Sequence, residues 1–462
     1  MPLFLSSEAE VVVSGGGPAG FVAALSSARN GARTVLVERY GFLGGMATAA
    51  GVGPFMPFFD RKGKKVVGGI ADEVVERLVE AGGAVGHSPI FTPFDPEVLK
   101  YVALEMLLEA NVELRLHSYV TDVIMKNNKV LGIVTEGKSG KEVLMARIFV
   151  DATGDADVAT RAGAPYQVGR PQDGLTQPPS LFLRVGKVDT ERLIEYAEAH
   201  PEDMGWDGKL HFAEIDRPIP QGKGFTKCHF MGAFYAKTIP KAKEAGEVLL
   251  GKDWVTTFTD LREGEVILNA TRATGGVNCL DVRALTWAEI DCRRQAMSLF
   301  SFLKRRCQGY ENSYLLSTGA QVGVRESRRI IGDYMITVED VVEERDFPDA
   351  IARCAYGIDV HDPLGGGALS SPEGGIGPKH GGSYGIPYRS LLPKRIENLL
   401  VAGRPISTDF WAHGSIRVMP YCMAIGQAAG AAAALSMRHG VLPRSLDSEE
   451  LRKLLKRQGA IL

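Results

Sequence analysis

The sequence predicts an α/β fold: a parallel sheet carrying an antiparallel meander, interrupted by an inserted α+β domain. Two observations carry that prediction. An apolar strand near the start runs through a glycine-rich turn into a helix and then a second strand. The same kind of strand, ending on small residues, returns at Asp151 and again at Ala402.

The first unit is Glu10-Val11-Val12-Val13-Ser14 followed by Gly15-Gly16-Gly17-Pro18-Ala19-Gly20. This is G-x-G-x-x-G at a strand-to-helix junction, the arrangement that holds a dinucleotide. Gly15 serves the tight turn, Gly17 lets backbone approach a pyrophosphate, and Gly20 with Ala24 lets the helix pack on the sheet. The pyrophosphate would sit at the helix N-terminus, where free N–H groups and the dipole favour an anion. The second strand, Thr34-Val35-Leu36-Val37, closes on Glu38, placed to accept hydrogen bonds from a ribose diol. A loop with a glycine doublet follows, from Arg39 through Gly44, Gly45 and Met46.

Asp95-Pro96-Glu97 starts a helix, with Asp as N-cap and Pro in the first turn. Its apolar positions Val98, Val102, Met106 and Leu107 keep helical spacing, and it should end near Asn111. Glu113–Val120, Asp122–Lys126, Val130–Thr135 and Glu142–Val150 read as short strands, with turns at Asn127-Asn128 and Lys138-Ser139-Gly140. The last runs into Asp151-Ala152-Thr153-Gly154-Asp155. From 164 to 392 the periodicity is irregular and loops lengthen, which marks an inserted domain. Residues 1–163 and 393–462 then form one discontinuous domain around it. Its last pieces are the strand ending at Gly403-Arg404 and a small-residue helix over 420–438, capped by Gly440.

Bulk properties narrow the partners. The chain has 462 residues, 53 Lys and Arg against 55 Asp and Glu, and a formal charge of −2. A nucleic-acid partner calls for a basic face, and none is expected. Six cysteines, Cys228, Cys279, Cys292, Cys307, Cys354 and Cys422, show no C-x-x-C spacing, so no metal site is expected. The N-terminus has no charged n-region or full apolar h-region, and the apolar stretch 424–437 is too short to span a bilayer. The expected setting is cytoplasmic, with no membrane span.

Taken together, the Gly15–Gly20 turn, Glu38, Gly44-Gly45, Asp151–Asp155 and Ala402-Gly403-Arg404 resemble the FAD-dependent oxidoreductases of the glutathione-reductase-type superfamily. More narrowly, 403–407, 413–419 and 426–430 resemble the FAD-dependent oxidoreductases related to fumarate reductase and succinate dehydrogenase flavoproteins. The resemblance implies a Rossmann-like FAD-binding domain covering both ends of the chain. It implies cofactor contacts from Gly15, Gly17, Pro18, Ala19, Gly20, Glu38, Arg39, Gly44, Gly45, Met46, Val120, Ala152, Thr153, Gly154, Asp155, Gly403, Arg404, Arg417 and Val418. The final helix would aim its N-terminus at the flavin pyrimidine edge. Positions 44–50 hold no His, Cys or Tyr, so the FAD is expected to be noncovalent. There is no second G-x-G-x-x-G unit, and Gly403-Arg404 stands where aromatic hydroxylases carry Gly-Asp.

Hydride transfer at flavin N5 usually needs a group to move a partner proton. His413, expected in the loop before the last helix, is one candidate; the alternative is a structural bond to backbone. Arg417 is a candidate for flavin or substrate contact. Arg325, in Arg325-Glu326-Ser327-Arg328-Arg329, could clamp a carboxylate or belong to a salt-bridged surface helix. His361, in Asp359-Val360-His361-Asp362, could be catalytic or part of an exposed turn. Cys228-His229 is discounted as a nucleophile pair, because adjacent side chains on extended chain face opposite ways. The expected function is a FAD-dependent dehydrogenase or reductase of a small organic molecule. The alternative is an electron-transfer subunit of a larger complex. A homo-oligomer or an electron-acceptor protein is a possible partner, and flavin-dependent RNA modification is disfavoured by the neutral charge.

Overall fold

A five-stranded parallel sheet organises the molecule, in the order Leu399–Val401, Ile148–Asp151, Val11–Ser14, Thr34–Val37, Glu113–Arg115. The computed structural model describes residues 4–6, 9–213, 229–369 and 377–462. Four of the five strands are buried along their whole length, as a parallel sheet covered on both faces requires. Alternate residues supply the two faces. Val11, Val13, Leu36, Val150 and Leu400 enter the core beneath the helices. Val12, Val35, Val37, Phe149 and Val401 enter a smaller core under the meander.

On the helical face, Pro18–Arg29 lies against the long helix Met419–His439. The contact is backbone to backbone. A Cβ on Gly426 would fall 2.1 Å from the Ala19 carbonyl oxygen, and one on Gly430 would fall 2.1 Å from that of Ala23. The expected helix over 420–438 is thus present, extended by a residue at each end and closed by Gly440 at φ +65°. Pro96–Glu109 is capped as its sequence suggests, with the Asp95 side chain accepting from Glu97 N at 2.8 Å.

The meander comprises Tyr119–Lys126, Lys129–Gly137 and Gly140–Met145, and Phe4–Ser6 pairs in parallel with its last strand. Two expected strands are each divided. Glu113–Val120 breaks because His117 takes φ +54°, sending Glu113–Arg115 to the parallel sheet and Tyr119 into the meander. Glu142–Val150 breaks between Met145 and Ile148 for the same change of sheet.

The inserted region builds a six-stranded antiparallel sheet in the order His211–Ala213, His229–Phe234, Val255–Thr259, Val266–Asn269, Leu183–Gly186, Tyr314–Thr318. Helix Val282–Arg306 backs it, capped by Asp281 and packing Ala288, Cys292, Leu299 and Phe302 inward. This second core runs from Leu181 to Val322. Residues beyond it, including Ile336, Val341, Ala352, Tyr384 and Leu391, pack into the first core. The apolar packing therefore changes hands well before the expected boundary at 392. Cys228 lies outside the described residues, and the other five cysteines are free and buried. No single helix among the described residues is long and apolar enough to cross a membrane.

Candidate functional site

The carboxyl ends of the parallel strands open onto one cavity of about 590 Å³. The glycine turn forms its floor. Gly15 has φ +96°, and a Cβ there would lie 2.4 Å from the Ala152 carbonyl oxygen. Gly20 is tighter still, with a Cβ falling 1.7 Å from the Gly15 oxygen. A Cβ on Gly17, by contrast, would have only Gly45 Cα within 4 Å, at 3.8 Å. That leaves its backbone open to a ligand at the N-terminus of Pro18–Arg29.

Glu38 closes the turn from the neighbouring strand. Its carboxylate accepts from Gly16 N at 2.6 Å and from Tyr40 N at 2.9 Å. Burial raises its proton affinity above the usual carboxylate value, against the pull of those N–H groups and Arg39.

Most of the sequence-derived cofactor residues meet here. Gly15, Gly17, Pro18, Ala19, Glu38, Arg39, Gly45, Met46, Ala152, Thr153, Gly154, Asp155, Gly403, Arg404, Arg417 and Val418 all line the cavity. A side recess adds Val120 beside Glu38 and Arg39. Gly20 and Gly44 do not line it. Gly20 is consumed in packing, and Gly44 donates its N–H to the Gly16 carbonyl at 2.9 Å, holding the doublet against the turn.

Asp155 and Arg404 join two strand ends, with Arg404 Nη2 donating to Asp155 Oδ1 at 2.6 Å and Ser327 Oγ donating to the same oxygen at 2.6 Å. Burial opposes ionisation of Asp155, but Arg404, Ser327 and Arg39 prevail and keep it below the usual carboxylate range. Asp151, just upstream, accepts from Thr153 N, Thr153 Oγ1 and Ala159 N, shaping the turn into the cavity. Burial pushes its carboxyl up to about 6.

The four catalytic candidates have different fates. His413 lies inside helix Phe410–Ile416 rather than in a loop, is fully buried, and is not among the cavity-lining residues. Burial, with Arg329, Arg417 and Arg404 nearby, keeps its imidazole neutral. Arg417 follows that helix and reaches Asp359, donating to its carboxylate at 3.2 Å and its carbonyl at 2.9 Å.

His361 is buried, not part of an exposed turn. Arg272 Nη2 sits 2.6 Å from its Nδ1, and Asp359 Oδ1 lies 3.3 Å from its Nε2. An arginine can only donate, so Nδ1 accepts and the proton is on Nε2, facing Asp359. Both ring nitrogens are committed, which leaves no free lone pair for base catalysis. Burial, with Arg325 and Arg272 nearby, lowers its pKa to about 3. Burial also works against the Asp359 carboxylate, yet His361, Arg417 and Arg325 hold it ionised well below its usual range.

Only Arg325 of its cluster faces the cavity. Arg329 is spent on a buried pair with Glu326, and Arg328 bonds the Asp155 carbonyl and Asp157. The salt-bridged surface helix is absent, since 328–330 is a short, mostly buried strand. Sequence reading missed Lys252, Trp254 and Arg272. Lys252 and Trp254 line the cavity, and Arg272 stands behind His361. The alternation Lys252-x-Trp254-x-Thr256 into a strand is the signal that could have found two of them.

A family model described as FAD dependent oxidoreductase matches residues 10–455. The chain belongs to that family. It is an enzyme of the oxidoreductase class with FAD as its cofactor. The geometry fits the group: a glycine cradle that side chains would fill, a helix N-terminus for phosphates, and one continuous cavity beyond it. Among curated proteins, the chain is 29% identical over 163 residues to a thiamine thiazole synthase from Methanococcus vannielii, covering 33% of this chain and 59% of the relative. A second such synthase, from Methanococcus maripaludis, is 29% identical over 156 residues, covering 32% and 56%. The chain thus spans less than two thirds of these relatives. Among solved structures, a geranylgeranyl bacteriochlorophyll reductase-like protein from Thermoplasma acidophilum aligns at TM-score 0.45 and 12% identity, over 99% of this chain and 85% of that one.

Proposed function

We propose that this enzyme transfers a hydride between a small organic substrate and N5 of noncovalently bound FAD. When bound, FAD supplies a two-electron acceptor or donor. The carrying observation is that segments from both ends of the chain and from residue 152 onward line one cavity that continues into the antiparallel domain. Gly15, Gly17 and the N-terminus of Pro18–Arg29 would hold the pyrophosphate, and Glu38 the adenosine ribose. Val120 would border the adenine.

Arg417 and Val418 stand at the start of Met419–His439 and face the same cavity. A guanidinium and a helix N-terminus together favour negative charge there, which suits the pyrimidine edge of a reduced flavin. His413 is buried and lies off the cavity, so in this reading it does not touch substrate. The finer kinship to fumarate reductase-type flavoproteins is part of the same reading, supported by the 403–430 segment.

Anaerobic bleaching of the flavin band by candidate substrates tests the reading. The first compound that bleaches it, deuterated at the reacting carbon, should slow the bleaching severalfold. Equal rates for both isotopologues would remove hydride transfer from the account.

A further inference from the structure

Three buried basic side chains crowd the end of the cavity that belongs to the antiparallel sheet. Lys252 Nζ donates to Thr256 Oγ1 at 2.6 Å and to the Asn269 carbonyl at 3.0 Å, 4.8 Å above the Trp254 ring. Arg325 donates to the Pro178 carbonyl at 2.8 Å and to Asn269 Oδ1 at 3.3 Å. Arg272 donates to His361 and to the carbonyls of Gly365 and Gly367. Every one of these acceptors is neutral.

The acids lining the cavity are engaged elsewhere. Asp359 holds Arg417 and His361, Asp155 holds Arg404, and Asp207 holds His211 and Lys209. Glu38 accepts from two backbone N–H groups. Among the described residues, Lys252, Arg272 and Arg325 therefore have no carboxylate partner.

Buried charge without a counter-ion is costly unless a ligand supplies one. We propose that Lys252 and Arg325 bind the carboxylate of an anionic substrate at this end of the cavity, naming the substrate class for the oxidoreductase reading on which it rests. Asn269 spaces the pair, with its main chain on Lys252 and its side chain on Arg325. Two of the three donor positions of the lysine's ammonium form are filled, and among the described residues three of the five guanidinium N–H groups of Arg325 have no acceptor. A planar carboxylate suits that free guanidinium edge. A phosphate dianion does not, because the surrounding backbone presents carbonyl oxygens from Pro178 and Asn269 rather than N–H groups.

The groups facing Lys252 are Arg272 and Arg325, which oppose its protonation, and Asp359, which favours it. Burial is the largest opposition, and together these hold the amine's pKa well below the usual lysine value. An arriving anion reverses the balance, so binding should draw in a proton.

The test is calorimetric titration of the FAD-loaded protein with propionate, propanamide and inorganic phosphate, in two buffers of different ionisation enthalpy. Propionate should bind with proton uptake at pH 7.5, and propanamide should not bind. Arg325→Gln should weaken propionate about tenfold or more, a loss of ~1.4 kcal/mol or more. Lys252→Met should abolish the proton uptake, and Arg325→Lys should restore part of the affinity. FAD uptake by each variant reports that the fold is intact. Propionate affinity unchanged in both Arg325→Gln and Lys252→Met, phosphate binding tighter than propionate, or no propionate binding to FAD-loaded protein would each overturn the proposal. A chain that takes up no FAD would instead end the oxidoreductase reading.

Discussion

Arg404 donates to Asp155 at 2.6 Å, tying the end of the last parallel strand to a turn 249 residues earlier in the chain. The pair makes one wall of the cavity from two distant segments, and Ser327 adds a third.

Asp155→Asn should therefore loosen both the fold and the cofactor. Removing one partner of a largely buried pair should cost about 1–3 kcal/mol, below the 3–5 kcal/mol of a fully buried one. The Asp155 pKa is depressed in the folded state, so its contribution is full at neutral pH and fades as acid protonates it. Urea midpoints of wild type and Asp155→Asn should differ at pH 7 and converge below about pH 3.9. A constant gap across that range would contradict the assignment.

Acid should destabilise the enzyme through its buried neutral histidines. Burial lowers His361 to about 3 and His229 to about 4, and His413 falls well below its usual value. The unfolded chain binds these protons near pH 6.5 while the folded chain does not, so stability falls as pH drops below that point. His361→Gln should flatten the slope between pH 6 and pH 4 by ~1.4 kcal/mol per pH unit, one proton's worth. Denaturation midpoints at several pH values measure it. An unchanged slope would mean that His361 is charged in the folded protein.

Gly426→Ala should be severe for so small a change. Its methyl group would meet the Ala19 carbonyl at 2.1 Å, where only movement of one helix can make room. Overpacking of this kind costs about 1–3 kcal/mol, and here it also tilts the helix whose N-terminus faces the cavity. The melting temperature should fall and FAD affinity with it. Gly31→Ala, where the space is open but φ is +94°, should lower stability without touching FAD affinity.

Glu38→Ala should cost FAD affinity by about tenfold or more, because it removes the proposed ribose partner and frees the N–H groups of Gly16 and Tyr40. Glu38→Gln keeps one acceptor and should fall between. Equilibrium quenching of FAD fluorescence measures both. Wild-type affinity in Glu38→Ala would place the ribose elsewhere.

Much of the glycine turn was legible in the sequence because its causes are local. Gly15 and Gly20 are fixed by contacts within a few residues or across adjacent strands, and such steric demands leave a motif. The packing glycines Gly426 and Gly430 announced themselves the same way. Lys252 and Trp254 did not, since they reach the cavity beside a sheet whose strand order no local periodicity encodes. The role of His361 depended on Arg272, 89 residues away. The break at His117 was hidden because a left-handed histidine leaves no mark on strand propensity. The stretch beyond Val322 is irregular in sequence, yet Ile336, Val341, Ala352, Tyr384 and Leu391 pack into the first core, a long-range contact that no local texture reports.

The central claim is noncovalent FAD in the cavity between Glu38 and Arg417, and one spectrum tests it most directly. The purified protein should absorb near ~370 and ~450 nm, and acid precipitation should release that colour into the supernatant. Colour retained in the pellet would contradict the noncovalent assignment. A colourless protein that takes up no added FAD would contradict the account as a whole.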